Sequence, residues 1–179
     1  MKIDLIAGAR PNFMKIAPII DAIKTAQSNK EKIEYRLVHT GQHYDKNMSG
    51  SFFEQLGIPL PDVNLEAGSR SQAEQTAKII IGYEALLLKD PTDYCLVVGD
   101  VTSTMACSIV AKKMNIKVIH VEGGIRSWDL TMPEEINRMV TDSITDYFFT
   151  TSETANNNLI KSGIKKDNIF FVGNTMIDT

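Results

Sequence analysis

The chain has 179 residues, of which 43% are hydrophobic and 23% are charged, and its formal net charge is −3. These values are ordinary for a folded domain with its own core and argue against a disordered chain. A slightly acidic chain without a clustered basic face gives no reason to expect nucleic acid as a partner.

The start of the chain and its cysteines predict a cytoplasmic, soluble protein. Residues 1–6 are interrupted by Asp4 and read as a first strand rather than as a signal peptide. No apolar run approaches the roughly 20 residues that a membrane helix needs. Cys95 and Cys107 have no partner at metal-ligand spacing, which is typical of buried thiols in a reducing compartment.

Short apolar runs alternate with longer helical patterns along the whole chain. Ile16, Ile19, Ile20 and Ile23, for example, have the spacing of one helix face. In chain order, the predicted elements are a strand over 3–7, a helix over 13–26, a strand over 33–39, a helix over 47–56, a short strand over 62–65, a helix over 71–89, a strand over 94–98, a helix over 102–114, a strand over 117–121, a helix over 133–144, a strand over 147–150, a helix over 153–161 and a strand over 169–172.

This alternation predicts right-handed βαβ units and therefore an α/β fold with a doubly wound, parallel, Rossmann-like sheet. Ligands of such folds bind beyond the carboxyl ends of the strands. The junctions between strands and the following helices are therefore the places to look for a site.

The end of the chain follows the last predicted strand closely. Residues 173–175 read as a turn, and only four residues come after them. We expect residues 1–172 to form one domain and residues 173–179 to begin a link into a second domain. A small domain with a loose tail is the alternative.

The first junction, Gly8-Ala9-Arg10-Pro11, places two cations at the start of a helix. It lacks the Gly-x-Gly-x-x-Gly and P-loop patterns, so it does not support NAD or ATP. Arg10 and Lys15 beside a helix N-terminus suit a phosphate group. Alternatively, both are solvated surface charges.

The next two junctions also carry polar residues. Thr40-Gly41-Gln42-His43 follows an apolar strand and is either a ligand loop or a plain turn. Asp100 ends the most apolar strand, after Gly99. Its alternative role is the N-cap of the following helix.

Glu122, Glu134 and Arg138 occupy the remaining junctions. Glu122 ends a strand and precedes two glycines, whereas Glu134 and Arg138 are four residues apart on one helix face. Thr131 and Glu134 also fit a capping box, with Pro133 just inside the helix, so Glu134 has a structural alternative.

Taken together, Asp100, Glu122 and Glu134 are expected at one edge of one sheet. Mutual repulsion raises the pKa of at least one clustered carboxylate, as general acid–base catalysis at neutral pH requires. A metal site has little support, because the sequence has no Asp-x-Asp pattern and no histidine cluster.

The order and spacing of these segments resemble the non-hydrolysing UDP-N-acetylglucosamine 2-epimerases. The matching segments are Gly8-Ala9-Arg10-Pro11, Thr40-Gly41-Gln42-His43, Gly99-Asp100, His120-Val121-Glu122-Gly123-Gly124-Ile125-Arg126, Pro133-Glu134-Glu135-Ile136-Asn137-Arg138 and Gly173-Asn174-Thr175. The resemblance implies the N-terminal half of a two-domain, glycosyltransferase-B-like fold. It also implies interconversion of UDP-GlcNAc and UDP-ManNAc, by removal of the C2 proton and elimination of UDP, with neither cofactor nor metal.

The resemblance also implies roles for individual residues. Asp100, Glu122 and Glu134 would be the acid–base carboxylates, without a choice of the one that acts at C2, and Arg138 would organise them. Arg10 and Lys15 would lie near the phosphates, and His43 would line the site. The implied partners are the UDP-sugar, a C-terminal domain outside this chain and, as is often found in the family, a second copy in a homodimer.

Two positions depart from the family pattern. Asn12 replaces the usual Glu, which leaves the charge around Arg10 open, and Gly123 replaces a frequent Ala. A hydrolysing epimerase, a glycosyltransferase-B transferase and a binding module without catalysis remain alternatives. Because the family's second domain holds most uridine contacts and a further catalytic histidine, we expect this chain alone to be inactive.

Overall fold

Within residues 1–41, 50–68 and 71–178, which the computed structural model describes, seven parallel strands form one sheet in the order β3-β2-β1-β4-β5-β6-β7. The strands are β1 (Lys2–Ala7), β2 (Glu34–His39), β3 (Val63–Asn64), β4 (Tyr94–Val98), β5 (Lys117–Val121), β6 (Tyr147–Thr150) and β7 (Ile169–Phe171). All neighbouring strands pair in parallel, as the βαβ alternation predicts.

The helices follow the predicted order. They are α1 (Arg10–Ser28), α2 (Gly50–Gln55), α3 (Gln72–Lys89), α4 (Thr102–Lys113), α5 (Pro133–Ile144) and α6 (Glu153–Lys161). Helix α1 begins earlier than its apolar pattern predicts, because Asn12 closes its first turn. Two short 3-10 helices, Lys166–Asn168 and Thr175–Asp178, were not predicted. Among the helices in the described ranges, none combines the length and apolar character that crossing a membrane requires.

Helices cover both faces of the sheet, so the central strands bury both of their faces, whereas β3 and β7 at the edges of the sheet stay partly exposed. Along β4, Leu96 and Val98 pack on the side of α1 with Phe13, whereas Cys95 and Val97 pack on the opposite side with α3 and α4. This explains why the β4 sequence is apolar throughout rather than alternating. The double cover confirms the predicted doubly wound class.

One charged group lies inside the layer between the sheet and α3. Asp4 on β1 is fully buried; its carboxylate accepts hydrogen bonds from Arg36 at 2.9 and 2.7 Å and from the Tyr83 hydroxyl at 3.0 Å. Arg36 also bonds to Asp90 at the end of α3. We call Asp4, Arg36, Tyr83 and Asp90 the buried cluster; it fixes α3 to the sheet.

The strand order reverses between β1 and β4. These two strands lie side by side, although α1, β2, α2, β3 and α3 come between them along the chain. At such a switch point the connections leave in opposite directions and open a crevice at the carboxyl ends of the strands. The junctions after β1, β4 and β5 therefore border this crevice.

Candidate active site

Lys15 and Glu122 form an ion pair across the crevice. The Lys15 Nζ lies 2.5 Å from Glu122 Oε2, and the two side chains are only 17% and 11% exposed. Lys15 is presented by the second turn of α1, after β1, and Glu122 directly follows β5. The alternative that Lys15 is a solvated surface charge is therefore wrong.

Glu122 has an unusual backbone conformation. Its φ is +69°, in the left-handed region that side chains other than glycine rarely adopt, while its N–H donates to the Phe149 carbonyl at 2.8 Å. Strained backbone of this kind is concentrated at functional sites. The turn directs the Glu122 carboxylate to Lys15 rather than along the strand.

Asp100 pairs with Arg138 of α5. The Arg138 Nε and Nη2 donate to one carboxylate oxygen of Asp100 at 2.9 and 2.6 Å, and Asn137 donates to the Asp100 carbonyl at 2.8 Å. Asp100 is not an N-cap: α4 is preceded by Val101 and has no side-chain cap. The capping alternative is thus wrong, and the Asp100 carboxylate, one third exposed, borders the crevice.

The junctions of Asp100 and Glu122 lie beside each other. A Cβ built on Gly99 would be 3.8 Å from Glu122 Oε2, and also 3.8 Å from the Lys15 Nζ. Among the described residues, the Asp100 and Glu122 carboxylates each bond to a cation, Asp100 to Arg138 and Glu122 to Lys15. The contacts of these two carboxylates at the edge are therefore ion pairs with Lys15 and Arg138.

Glu135, which had no predicted role, anchors Arg138. It is fully buried and accepts from the Ser127 and Trp128 N–H groups and from Arg138 at 3.0, 3.1 and 2.8 Å. Burial by itself would raise the pKa of Glu135, but these hydrogen bonds lower it to about 2. We call Lys15, Asp100, Glu122, Glu135 and Arg138 the edge cluster.

Glu134 stands apart from these contacts. It is exposed in the first turn of α5, and Arg138 bonds to Glu135, three residues away, instead. The predicted capping box does not form, because Met132 precedes α5 and the Thr131 hydroxyl donates to Asp129 at 2.6 Å. The catalytic role of Glu134 stays a prediction.

Asn12 is a structural link at the base of the site. Its buried side chain accepts from the N–H groups of Gly8 and Ala9 at 3.1 and 2.8 Å and donates to the Val98 carbonyl at 3.1 Å. A carboxylate could not make the last bond, since it has no donor. The departure from the family's Glu therefore ties the turn after β1 to the end of β4.

Arg10 lies at the first turn of α1 and remains exposed. Its guanidinium carbon is 4.8 Å from the centroid of the Phe52 ring, a cation–π contact that orients the side chain. His43, predicted to line the site, lies outside the described residues. Within residues 1–41, 50–68 and 71–178, no group of three or more His, Cys, Asp or Glu side chains is arranged to hold a metal ion.

A second set of buried polar side chains lies directly beneath the edge. Asp142 of α5 bonds to the His120 ring at 2.7 Å, to Arg126 at 2.6 Å and to the Gly124 N–H at 3.0 Å. His120 and Arg126 belong to recognised motifs, but Asp142 was not singled out. Asp142 lies four residues after Arg138, and this spacing could have predicted that both side chains lie on the same face of α5.

The edge cluster and the neighbouring Arg10 offer groups suited to binding an anion and to proton transfer. Lys15 and Arg10 offer positive charge beside the N-terminus of α1, which suits a phosphate. Asp100 and Glu122 are carboxylates in different surroundings at one crevice, an arrangement that supports distinct acid and base roles.

Comparison with known proteins identifies the family of the chain. Residues 25–179 match the family model described as UDP-N-acetylglucosamine 2-epimerase. The chain is 46% identical over 178 residues to the UDP-N-acetylglucosamine 2-epimerase of Methanocaldococcus jannaschii, a match that covers 99% of this chain and 47% of that protein. It is 41% identical to the UDP-2,3-diacetamido-2,3-dideoxy-D-glucuronate 2-epimerase of Pseudomonas aeruginosa, covering 100% of this chain and 50% of that protein.

The three-dimensional structure is also similar to that of a member of this family. A crystal structure of the Methanocaldococcus jannaschii UDP-GlcNAc 2-epimerase in complex with UDP-GlcNAc and UDP superposes with a TM-score of 0.92 at 46% identity, covering 99% of this chain and 48% of that chain. The fold class is confirmed as the Rossmann-like half of a glycosyltransferase-B-like fold. The chain spans about half the length of the relatives it matches.

Proposed function

Because the chain belongs to the UDP-N-acetylglucosamine 2-epimerase family, we propose that it supplies one wall of an active site that interconverts UDP-GlcNAc and UDP-ManNAc. The observation that carries the proposal is the pairing of Glu122 with Lys15 and of Asp100 with Arg138 at one crevice. The ligands named for the Methanocaldococcus jannaschii complex, UDP-GlcNAc and UDP, fit the cations beside this crevice.

In the proposed reaction, a carboxylate of the edge removes the proton from C2 of the sugar. The bond between C1 and the UDP oxygen breaks, and a C1=C2 double bond forms in 2-acetamidoglucal. Return of UDP to C1 then accompanies delivery of a proton to the opposite face of C2. Two proton-transfer groups on different sides of the sugar are required, and Asp100, Glu122 and Glu134 are the candidates.

Lys15 and Arg10 are proposed to bind the diphosphate. Lys15 would serve both the diphosphate and Glu122, since its ammonium donates to the Glu122 carboxylate. Arg138 holds Asp100 in place through two donors, and Glu135 fixes Arg138 in turn. Preorganised charges of this kind lower the barrier because they need not reorganise during the reaction.

The proposal is tested with the product of the full reading frame that contains this chain. In D₂O, we expect this protein to convert UDP-GlcNAc into UDP-ManNAc and to place deuterium at C2. Release of free ManNAc and UDP would instead identify a hydrolysing epimerase. Sugar transfer to an acceptor without C2 exchange would identify a transferase, and binding without turnover would identify a binding module.

The same assay on residues 1–179 alone tests whether these residues are sufficient for turnover. Because the chain spans about half of its relatives, we expect no useful turnover from these residues by themselves. Formation of UDP-ManNAc by the isolated chain would contradict that expectation.

The proposal includes a cytoplasmic location and a homodimer. Cys95 and Cys107 are free and buried, which agrees with a reducing compartment. Helices α3 and α5 expose large apolar side chains, among them Ile81, Leu88 and Ile136, that a second copy would cover. Light scattering on the full product tests the dimer.

A further inference from the structure

We propose that His120 and Asp142 form a positioning pair, which holds in place the two turns that carry Asp100 and Glu122. The inference rests on the proposed function and deepens it, because it assigns a role to two buried residues that do not reach the crevice themselves. It starts from the partners of the His120 ring.

His120 is placed between two acceptors. It lies on β5 and is 1% exposed; its Nε2 is 2.7 Å from the Gly99 carbonyl oxygen and its Nδ1 is 2.7 Å from Asp142 Oδ1. A carbonyl can only accept, so Nε2 carries a proton. Since an ionised carboxylate also only accepts, the partners assign a proton to Nδ1 as well.

Asp142 is ionised despite its burial. Burial by itself would raise its pKa, but the hydrogen bond from His120 and the charges of His120 and Arg126 lower it below the ordinary value. Its second oxygen accepts from Arg126 at 2.6 Å and from the Gly124 N–H at 3.0 Å. Both carboxylate oxygens are thus occupied, as a buried charge requires.

These bonds end on both catalytic turns. Gly99 directly precedes Asp100 and has a φ of +69°, and its carbonyl is held by His120. Gly124 lies two residues after Glu122, and its N–H is held by Asp142. The pair therefore fixes the backbone beside each candidate carboxylate from a single point on α5.

Helix α5 carries both kinds of support. Arg138 holds the Asp100 carboxylate from above, and Asp142, one turn further along the same helix, holds the backbone below. A shift of α5 would displace both turns together. Misplacement of reacting groups by about 1 Å can reduce a rate about 100-fold.

Gly123 leaves just enough space for the pair. A Cβ at this position would lie 2.8 Å from Phe148 Cδ1, 3.2 Å from His120 Nδ1 and 3.3 Å from Asp142 Oδ1. The departure from the frequent Ala of the family therefore lies against the contact between His120 and Asp142. A side chain here would press directly on that contact.

Kinetics of the full product test the pair. We expect Asp142→Asn and His120→Ala to lower kcat by roughly 10–100-fold while KM changes by less than about threefold, because alignment rather than binding is lost. His120→Gln keeps a donor for the Gly99 carbonyl. Its kcat should therefore be at least about threefold higher than that of His120→Ala. A kcat within about threefold of the unchanged protein in folded Asp142→Asn would overturn the proposal.

Asp4→Asn is the matched control, since it also replaces a buried, hydrogen-bonded carboxylate but belongs to the buried cluster. We expect it to leave kcat of the folded protein unchanged. An equal loss of kcat in Asp4→Asn would overturn the positioning role, because any buried carboxylate would then have the same effect.

Spectroscopy separates this proposal from the proposed function. With ¹⁵N-labelled histidine, the unchanged protein should show two slowly exchanging nitrogen-bound protons on the His120 ring, and Asp142→Asn should lose the one on Nδ1. A single nitrogen-bound proton in the unchanged protein would overturn the pair even if the enzyme is active. Conversely, absent epimerase activity with both protons present would reject the proposed function alone.

Discussion

The buried cluster and the edge cluster both contain aspartate paired with arginine, but in different surroundings. In the buried cluster, Asp4 is 0% exposed and its carboxylate is fully bonded to Arg36 and Tyr83. At the edge, the Asp100 side chain is 33% exposed and uses one oxygen for Arg138. Both oxygens of Asp4 accept hydrogen bonds inside the protein, whereas Arg138 uses one oxygen of the more exposed Asp100.

The two clusters also differ in how the protein affects proton binding. Burial raises the pKa of Asp4, although Arg36 and Tyr83 oppose the effect. In Glu135 the donors outweigh burial and lower the pKa to about 2. The balance between burial, which raises the pKa, and hydrogen bonds and neighbouring charges, which lower it, decides the direction for each carboxylate.

The largest expected effect comes from removing the edge carboxylates. In the full product, Asp100→Asn, Glu122→Gln and Glu134→Gln should each slow C2 proton exchange by roughly 100-fold or more, since general acid–base catalysis contributes about that much. The measurement is deuterium incorporation at C2. Normal exchange in all three variants would show that the edge does not perform the acid–base chemistry, and normal exchange in Glu134→Gln alone would remove this exposed residue from the set.

Substitutions in the buried cluster should instead change the free energy of unfolding. Arg36→Met leaves Asp4 as an unpaired buried carboxylate and should lower the free energy of unfolding by about 3–5 kcal/mol, measured by urea denaturation. Activity per folded molecule of the full product should be unchanged. Asp4→Leu combined with Arg36→Met is the control, because removal of both charges should restore most of the loss; an equally unstable double variant would contradict the charge explanation.

The pH dependence of stability should have opposite signs in the two clusters. The contribution of Glu135 is complete above its ordinary value of 4.5 and is lost as the pH falls toward about 2. The contribution of Asp4 is complete below its ordinary value of 3.8 and decreases as the pH rises through its raised folded pKa.

Urea denaturation of this chain across acidic pH measures both slopes. The stability advantage of the unchanged protein over Glu135→Gln should shrink as the pH falls, and its advantage over Asp4→Asn should shrink as the pH rises. Slopes of the same sign would mean that the donors around these two carboxylates do not set the direction.

The smallest expected effect is that of chelation. The proposed elimination uses protein carboxylates and cations, so EDTA should leave the activity of the full product within about twofold of its untreated value. Loss of activity in EDTA with recovery on addition of Mg²⁺ would show that the edge works with a metal ion.

The fold class could be predicted from the amino-acid sequence alone, and so could the edge of the sheet at which Asp100 and Glu122 lie. Apolar runs and helical spacing gave β4, β5, β6, α5 and α6 with the bounds that the structure has. Because parallel strands end at one edge, Asp100 and Glu122 could be assigned to the same crevice from their positions after strands. Helix starts were predicted less well: α1 begins at Arg10 because the side chain of Asn12 supplies the bonds of its first turn.

The pairing of the charged side chains could not be predicted from the sequence, because it depends on how distant segments fold together. Lys15 and Glu122 are 107 residues apart, and Asp100 and Arg138 are 38 apart, so no local pattern connects them. The spacing of Glu134 and Arg138 places them on one face of α5, but Arg138 bonds to Glu135, which is buried, rather than to Glu134, which faces solvent. Periodicity gives the face of a helix, but the packing of that helix on the sheet decides which side chains are desolvated, and buried charges must then find partners.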